Sequence, residues 1–395
     1  MFKRINQSDV YVGMWCIYML QGVLYPSGII NQLLQLLMLL WAIIAVFKFL
    51  IQPLTHSPIL KMTFILILMY TIYGIIHMMF HESIYGLNTY YYLQSALNSL
   101  APIFLFYDFT MNGKLTSDRI RIYLPILIVT CVLLYYKNES LELLNTNAEE
   151  VTNNAGYFFV PLIPFLFFYS KNPVLQCVFM GIILLYVFMG MKRGAILIGV
   201  LGTLILLYAN IRNSSRKMKS VYLALSIIIV VGIYKLFSYM MNNSVYFMTR
   251  LEQTMEGNSS GRDEIYGSLW DILILESSPL KFYLGRGAES TLNVIGILAH
   301  QDWLETFCNN GLIGVFILLF FFYTLGKNAW LSRKFFSVPM FYSFITLFIV
   351  IFSKTFFSMS IQNLDASESM LIGYFAYWAS QQTDNFEIDS YEQKE

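Results

Sequence analysis

The scarcity of charge is the feature that most limits what this chain can fold into. Only 12% of its 395 residues are Asp, Glu, Lys or Arg, whereas 57% are hydrophobic. Soluble domains carry about 25% charged residues, and a soluble globule of this length cannot hide so much apolar surface from water. The composition therefore excludes a soluble globule, and the 17% aromatic content excludes a disordered chain.

Apolar stretches predict where the chain crosses a membrane, because a span needs about 20 apolar residues to cover ~30 Å of hydrocarbon. The first stretch lacks a small-residue cleavage site, so we expect it to be retained as a span. The sequence thus predicts an all-α, polytopic membrane helix bundle of about twelve transmembrane helices, at residues 10–25, 28–51, 60–80, 91–109, 120–136, 156–169, 173–190, 194–209, 221–240, 311–325, 338–352 and 369–380.

The distribution of Lys and Arg predicts the orientation, since cytoplasmic loops are enriched in both. With twelve spans, most of the 25 basic residues fall on the side of the N-terminus. Both termini are therefore predicted to be cytoplasmic, in a multi-pass protein of the cytoplasmic (inner) membrane. The net charge of +1 argues against a nucleic-acid partner. The four cysteines lie far apart with no metal-ligand spacing, so neither a metal site nor a disulfide framework is expected.

Lys192 and Arg193 depart from this charge rule, because they lie in a short external turn between two apolar helices. Two cations at that position oppose insertion and call for a compensating role. One interpretation is an outward-facing anion site. The others are a miscounted span, or side chains that extend to lipid phosphates.

Residues 242–310 form a large hydrophilic segment, predicted to be an external helical loop. Arg262 begins a predicted helix, where free backbone N–H groups also favour anions, although an ion pair with a loop acid would explain it equally. Arg286 stands between two glycines, a pattern typical of a turn. His300 follows in a second predicted helix and is a candidate general base, whereas His77 is interpreted as an interface residue at the end of the third span.

The motifs resemble those of the bacterial O-antigen polymerase and O-antigen ligase superfamily. The matching stretches are Met191-Lys192-Arg193-Gly194, Ser260-Gly261-Arg262 followed by Trp270, Leu284-Gly285-Arg286-Gly287, Ala299-His300-Gln301-Asp302-Trp303-Leu304-Glu305, and Asn310-Gly311-Leu312-Ile313-Gly314. They cover residues 185–320. The chain departs from the family pattern at Lys192, at Arg286, and at Gln301-Asp302.

The resemblance implies a glycosyltransferase with a fold related to the GT-C enzymes, acting without metal or other cofactor on the outer face of the membrane. The partner would be a glycan linked through pyrophosphate to undecaprenol, held by Arg193 and Arg262. His300 would be the base or an orienting group. From charge and position alone, Lys192, Arg286 and Asp302 are secondary candidates. A chain-length regulator is a further partner to consider.

On this basis the chain divides into N-terminal membrane helices (1–185), a polymerase- or ligase-like core (186–325, with the loop 242–310), C-terminal membrane helices (326–380) and a cytoplasmic tail (381–395). The motifs do not separate a polymerase, which extends repeats into O-antigen, capsule or exopolysaccharide, from a ligase, which transfers finished glycan to lipid A core or protein. A transporter or flippase is the other alternative, since twelve spans are common among transporters.

Overall fold

The computed structural model describes residues 5–24, 28–51, 57–80, 91–146, 154–243, 248–249, 252, 262–272 and 278–392. Within these ranges the protein is all helical and contains no strand. The α-helices are α1 (Gln7–Leu24), α2 (Ile29–Ile51), α3 (Pro58–Phe80), α4 (Tyr91–Met111), α5 (Ser117–Thr146), α6 (Gly156–Phe159), α7 (Pro173–Met189), α8 (Arg193–Asn213), α9 (Arg216–Asn243), α10 (Arg262–Trp270), α11 (Pro279–Leu284), α12 (Ser290–Ile295), α13 (Asp302–Leu331), α14 (Val338–Phe357) and α15 (Ala366–Glu392), with 3₁₀ helices at Val160–Tyr169, Ser332–Lys334 and Ile361–Asn363.

Seven of the described helical segments are long and apolar enough to cross a membrane, which is the character of a multi-pass membrane protein. They are Ile29–Ile51, Pro58–Met79, Ser117–Leu141, Arg193–Asn213, Met218–Tyr239, Asp302–Lys334 and Val338–Phe357. Each coincides with one of the predicted spans. The other five predicted spans are helical too, but they do not reach the same length and apolarity. The helical nature of all the predicted stretches is therefore confirmed, and the count of twelve stays a prediction.

The chain divides into two compact units that interleave along the sequence. Unit 1 contains residues 1–36, 114–259 and 333–350, and unit 2 contains residues 37–113, 260–332 and 351–395. Arg193 therefore belongs to unit 1, whereas Arg262 and His300 belong to unit 2.

Unit 1 is built around the 3₁₀ helix Val160–Tyr169, of which all but Tyr169 is buried. Pro161 and Pro164 have no N–H to donate within this helix, and the carbonyl of Pro164 accepts a hydrogen bond from Ser343 Oγ at 2.7 Å. Gln176 Nε2 donates to the carbonyl of Leu166 at 2.9 Å. Since lipid cannot satisfy a polar group, these side chains replace the partners that water would supply.

Unit 2 is centred on the close packing of α4 against α15. A Cβ atom at Gly373 would lie 2.5 Å from the carbonyl oxygen of Ile103, so only glycine lets the two backbones approach this closely. Ser95 and Ser99 each donate a hydroxyl hydrogen bond of 2.6 Å to the carbonyl of Gln362. Helix α3 packs on both α4 and α13, which places the N-terminal end of α13 inside this unit.

A buried ion pair joins α14 to α15 in unit 2. Lys354 Nζ lies 2.7 Å from Glu368 Oε1, and the two side chains are 5% and 0% exposed. The second oxygen of Glu368 accepts a 3.0 Å hydrogen bond from the backbone N–H of Asp365. Lys354 lies in the last turn of α14. Its partner comes from a later helix, and only the packing brings them together.

Removing one member of this pair should destabilise the protein more than removing both. Lys354→Met leaves the buried Glu368 carboxylate without a cation, which should lower the free energy of unfolding by about 3–5 kcal/mol. The double change Lys354→Met with Glu368→Gln should recover much of that loss. Membrane abundance and the melting temperature in detergent would measure this, with the exposed Lys235→Met of α9 as a near-neutral control. Equal losses in the single and double variants would contradict the pairing.

Candidate functional site

Two of the stretches that carry the resemblance, around Gly285 and around Gly311, contact each other through their backbones in unit 2. Gly285 and Gly311 both have positive φ, 79° and 63°, which favours glycine. A Cβ at Gly285 would lie 2.4 Å from the carbonyl oxygen of Asn309, and one at Gly311 would lie 2.4 Å from Gly285 N. The backbone N–H groups of Arg286 and Gly287 donate to the carbonyls of Cys308 and Asn309, at 2.8 and 3.1 Å. The predicted turn around Arg286 is thus confirmed, and it is fixed against α13.

Gly311 lies at the predicted boundary within α13. The sequence predicts one helix ending at residue 310 and a membrane span beginning at residue 311. The range Asp302–Leu331 joins two helices at Gly311, where φ is 63° and ψ is −164°, values that are not helical. Glycine adopts this conformation without strain, and the predicted boundary at this residue is therefore confirmed.

A small apolar core joins α10 to the same region. Leu269 of α10 packs with Ala299 and Cys308, and four half-buried side chains cover them: Ile265, Ile295, Leu304 and Phe307. Ile265 and Leu269, four residues apart, thus lie on one face of α10. Stretches far apart in sequence, including the helix begun by Arg262, thus share one packed cluster.

Glu305 is the polar centre of this cluster. Its side chain is buried, and it accepts hydrogen bonds from three donors. The Thr291 hydroxyl lies 2.7 and 2.9 Å from the two carboxylate oxygens, the Ala299 N–H donates at 3.0 Å, and Asn309 Nδ2 donates at 3.1 Å. Asn309 Oδ1 in turn accepts from the N–H and hydroxyl of Ser290, at 2.9 and 2.8 Å. The carboxylate therefore ties α12, the loop before α13 and α13 itself together.

His300 is an exposed residue held between buried anchors. It was predicted to open the helix, but α13 begins two residues later, at Asp302. Its backbone has φ 53°, in the left-handed region. Ala299 before it is fully buried and bound to Glu305 through its N–H. The imidazole is thus presented at the surface from a constrained backbone, as a reacting group requires.

Asp302, a secondary candidate in the sequence, lies in the interior. It is 3% exposed, and its carboxylate accepts hydrogen bonds from the backbone N–H groups of Ser360 (2.8 Å) and Ile361 (3.2 Å). Its neighbour Trp303 donates from Nε1 to Thr355 Oγ1 at 2.9 Å. These contacts anchor the start of α13, two residues after His300.

The two arginines of the loop differ in what they contact. Arg286 Nη2 donates to the carbonyl of Ile272 at 2.7 Å, so its guanidinium binds the chain directly after α10. Arg262 is the half-buried first residue of α10, as predicted, and it interacts with Tyr266 one turn later. The residues directly before it, including the helix-capping candidates Asn258, Ser259 and Ser260, lie outside the described residues, as does Arg250.

Lys192 and Arg193 occupy the predicted tight turn of unit 1. Met191 has φ 52°, Lys192 is the N-cap of α8, and Arg193 is its first residue and exposed. Gly194 and Ala195 behind it are buried. The Lys192 side chain makes no capping hydrogen bond to the helix. Arg193 thus stands, like Arg262, at the N-terminal end of a helix, where backbone N–H groups lack helical partners.

Sequence reasoning missed a histidine–carboxylate pair beside the turn 284–287. His77, interpreted as an interface residue, is 3% exposed, and its Nε2 lies 3.5 Å from Glu289 Oε2. Glu289 belongs to none of the motifs, and His77 lies more than two hundred residues earlier in the chain. Only the packing of α3 in unit 2 brings the two side chains together.

Within the described residues, no group of three or more His, Cys, Asp or Glu side chains is placed to hold a metal ion. The chain matches none of the known family models and none of the curated proteins with which it was compared. The resemblance to the O-antigen polymerase and ligase superfamily therefore depends on the motifs themselves.

The contact between Gly285 and Gly311 gives a direct test of the site's framework. Gly285→Ala and Gly311→Ala should each lower the melting temperature and membrane abundance strongly, because overpacking alone costs about 1–3 kcal/mol and positive φ adds strain. Gly267→Ala, inside α10 with open space around its Cβ, should be neutral or stabilising by up to ~1 kcal/mol. A normal melting temperature for Gly285→Ala would refute the close backbone contact.

Proposed function

We propose that the protein is a glycosyltransferase that polymerises undecaprenyl-pyrophosphate-linked oligosaccharide repeats at the outer face of the cytoplasmic membrane. The product would be O-antigen, capsule or another exopolysaccharide. The observation that carries the proposal is the convergence of the stretches around Arg262, Arg286, His300 and Gly311 in one packed cluster. These stretches carry the resemblance, and within them the exposed His300 is held by buried contacts.

The proposed chemistry needs no metal ion. When the anomeric bond breaks, negative charge develops on the pyrophosphate, and fixed cations stabilise it. Arg193 and Arg262 would supply this charge, each beside the free N–H groups of a helix N-terminus. Arginine suits the task because its planar fork binds phosphate oxygens in pairs and stays charged at any working pH. His300 would accept the proton of the acceptor hydroxyl or orient that hydroxyl.

The membrane arrangement is part of the proposal. We propose twelve spans with both termini in the cytoplasm, which places the loop 242–310 outside. Lys192 and Arg193 would then face outward as well, and an anionic ligand there would offset the cost of two cations in an external turn. A chain-length regulator would be a partner on that side.

Two other functions remain as alternatives. A ligase would use the same motifs to transfer finished glycan to lipid A core or to protein. A transporter or flippase is favoured by one observation, the buried Lys354–Glu368 pair, because ionisable groups inside membrane helices often mark transport pathways. Neighbouring genes separate these functions, since repeat-assembling glycosyltransferases, a flippase and a chain-length protein would indicate a polymerase, and lipid A core genes a ligase.

The arginine assignment predicts a strict side-chain requirement. In a host strain that lacks the gene, complementation with Arg193→Lys or Arg262→Lys should leave single unpolymerised repeats, because an ammonium loses the bidentate geometry. Arg250→Lys and Lys281→Arg, cations of the same loop, should restore full glycan ladders. Normal ladders with Arg193→Lys at normal membrane abundance would count heavily against the pyrophosphate role.

His300 allows the sharpest test of the proposed reaction. His300→Ala should lower transfer strongly at normal membrane abundance, because both proton transfer and orientation of the acceptor hydroxyl need the imidazole; loss of a general base would cost ~10²–10⁴ in rate. His300→Gln should retain part of the activity if the residue orients the acceptor, because a hydrogen bond survives where proton transfer does not. Glycan length on gels separates these outcomes. Wild-type ladders from His300→Ala would remove the histidine from the mechanism.

A further inference from the structure

Glu289 has the features of a functional residue, although no motif points to it. It follows the turn Arg286-Gly287 directly, and its backbone has φ 57°. In the described part of the chain, positive φ at non-glycine residues occurs at Met191, Glu289 and His300 alone. The other two lie next to Lys192 and at the candidate base itself. Such strain persists only where the surrounding structure holds it in place, and it clusters at functional sites.

The Glu289 side chain is partly accessible and has a buried imidazole behind it. It is 15% exposed, whereas His77 is 3% exposed, and His77 Nε2 lies 3.5 Å from Glu289 Oε2. A substrate hydroxyl can therefore reach the carboxylate, but not the imidazole. This is the layout of a proton-accepting pair in which one member touches the substrate and the other supports it.

The same buried carboxylate fixes both Glu289 and His300. Glu305 binds the hydroxyl of Thr291, two residues after Glu289, and the N–H of Ala299, one residue before His300. Ser290, between Glu289 and Thr291, is bound to Asn309 through its N–H and hydroxyl. These hydrogen bonds fix the backbone beside Glu289 and beside His300. Ser290, Thr291 and Ala299 are buried, so Glu289 and His300 are the more accessible residues of the two stretches.

We propose that Glu289, supported by His77, is the proton acceptor of the glycosyl transfer, and that His300 orients the acceptor hydroxyl. This assignment rests on the proposed function. The acceptor hydroxyl loses its proton to a carboxylate oxygen of Glu289, and its oxygen forms the new bond to the anomeric carbon. The bond from that carbon to the pyrophosphate oxygen breaks, and its electron pair leaves with the pyrophosphate. The proton later passes to water at the exposed edge of Glu289.

The surroundings raise the proton affinity of Glu289. Burial, together with the nearby Glu305 carboxylate, raises the pKa of Glu289 above its usual range. The Glu289 side chain carries one negative charge before the transfer and none after it, a change that a poorly solvated site favours. A carboxylate with a raised pKa is a better base than an exposed one.

The test compares variants in the deletion strain of the native host. Glu289→Gln keeps the size of the side chain but cannot accept a proton, so glycan transfer should fall ~10²–10⁴-fold while membrane abundance stays normal. Glu289→Asp keeps the carboxylate and should retain part of the activity, and His300→Gln should do so too. Glu264→Gln, an exposed acid of α10, is the matched control with full ladders.

A pH profile separates catalysis from packing. Transfer is measured in isolated membranes on the host's own lipid-linked repeats. Wild-type activity should fall as pH drops through the raised pKa of Glu289, because the protonated acid is no base. His77→Gln should cause a smaller loss of activity and shift this acidic limb. An unmoved limb would overturn the role of His77, even if Glu289→Gln failed to reach the membrane.

Failure of this inference can be told apart from failure of the proposed function. Full ladders with Glu289→Gln, in a strain where Arg262→Lys gives single repeats, would overturn the Glu289 assignment alone. Full ladders in the strain without the gene would overturn the proposed glycosyl transfer, and the Glu289 assignment with it.

Discussion

The buried carboxylate of Glu305 is the interaction on which the candidate site depends. It accepts hydrogen bonds from Thr291, Ala299 and Asn309, and these donors belong to three different segments. A carboxylate in the interior is costly unless its oxygens are satisfied. Because the three donors satisfy it only when the segments are correctly placed, Glu305 ties the conformation of one loop to that of the others. The exposed His300 and the partly exposed Glu289 take their positions from this network.

Polar groups inside an apolar protein have few partners, and this constraint explains much of the remaining structure. In unit 1 the hydroxyl of Ser343 donates to the carbonyl of Pro164 in a 3₁₀ helix. In unit 2 two serines of α4 share the carbonyl of Gln362, and Lys354 is neutralised by Glu368. In each of these cases, a donor or acceptor that water cannot reach is matched by another part of the chain.

Some described residues hold a strained backbone conformation, and such strain does not serve the stability of the protein. Met191, Glu289 and His300 have positive φ without being glycine, and each such residue costs free energy on the order of 1–3 kcal/mol. At Gly285 and Gly311 the same conformation carries no strain, and it serves the close contact of two turns. Positive φ at the two glycines thus shapes the framework, whereas positive φ at the three other residues presents a side chain.

The sequence by itself determined the helical class, the apolar helices, the turn at Gly285 and Gly287, and the helix boundary at Gly311. These features depend on local composition, periodicity and glycine conformation, which neighbouring residues fix. Tertiary structure alone decided that His300 is exposed, that Asp302 is an interior anchor, that Arg286 binds the carbonyl of Ile272, and that His77 faces Glu289. Burial and pairing across long sequence separations depend on packing, because the partner of a buried polar group is chosen by its distance in space and leaves no periodic signal in the chain.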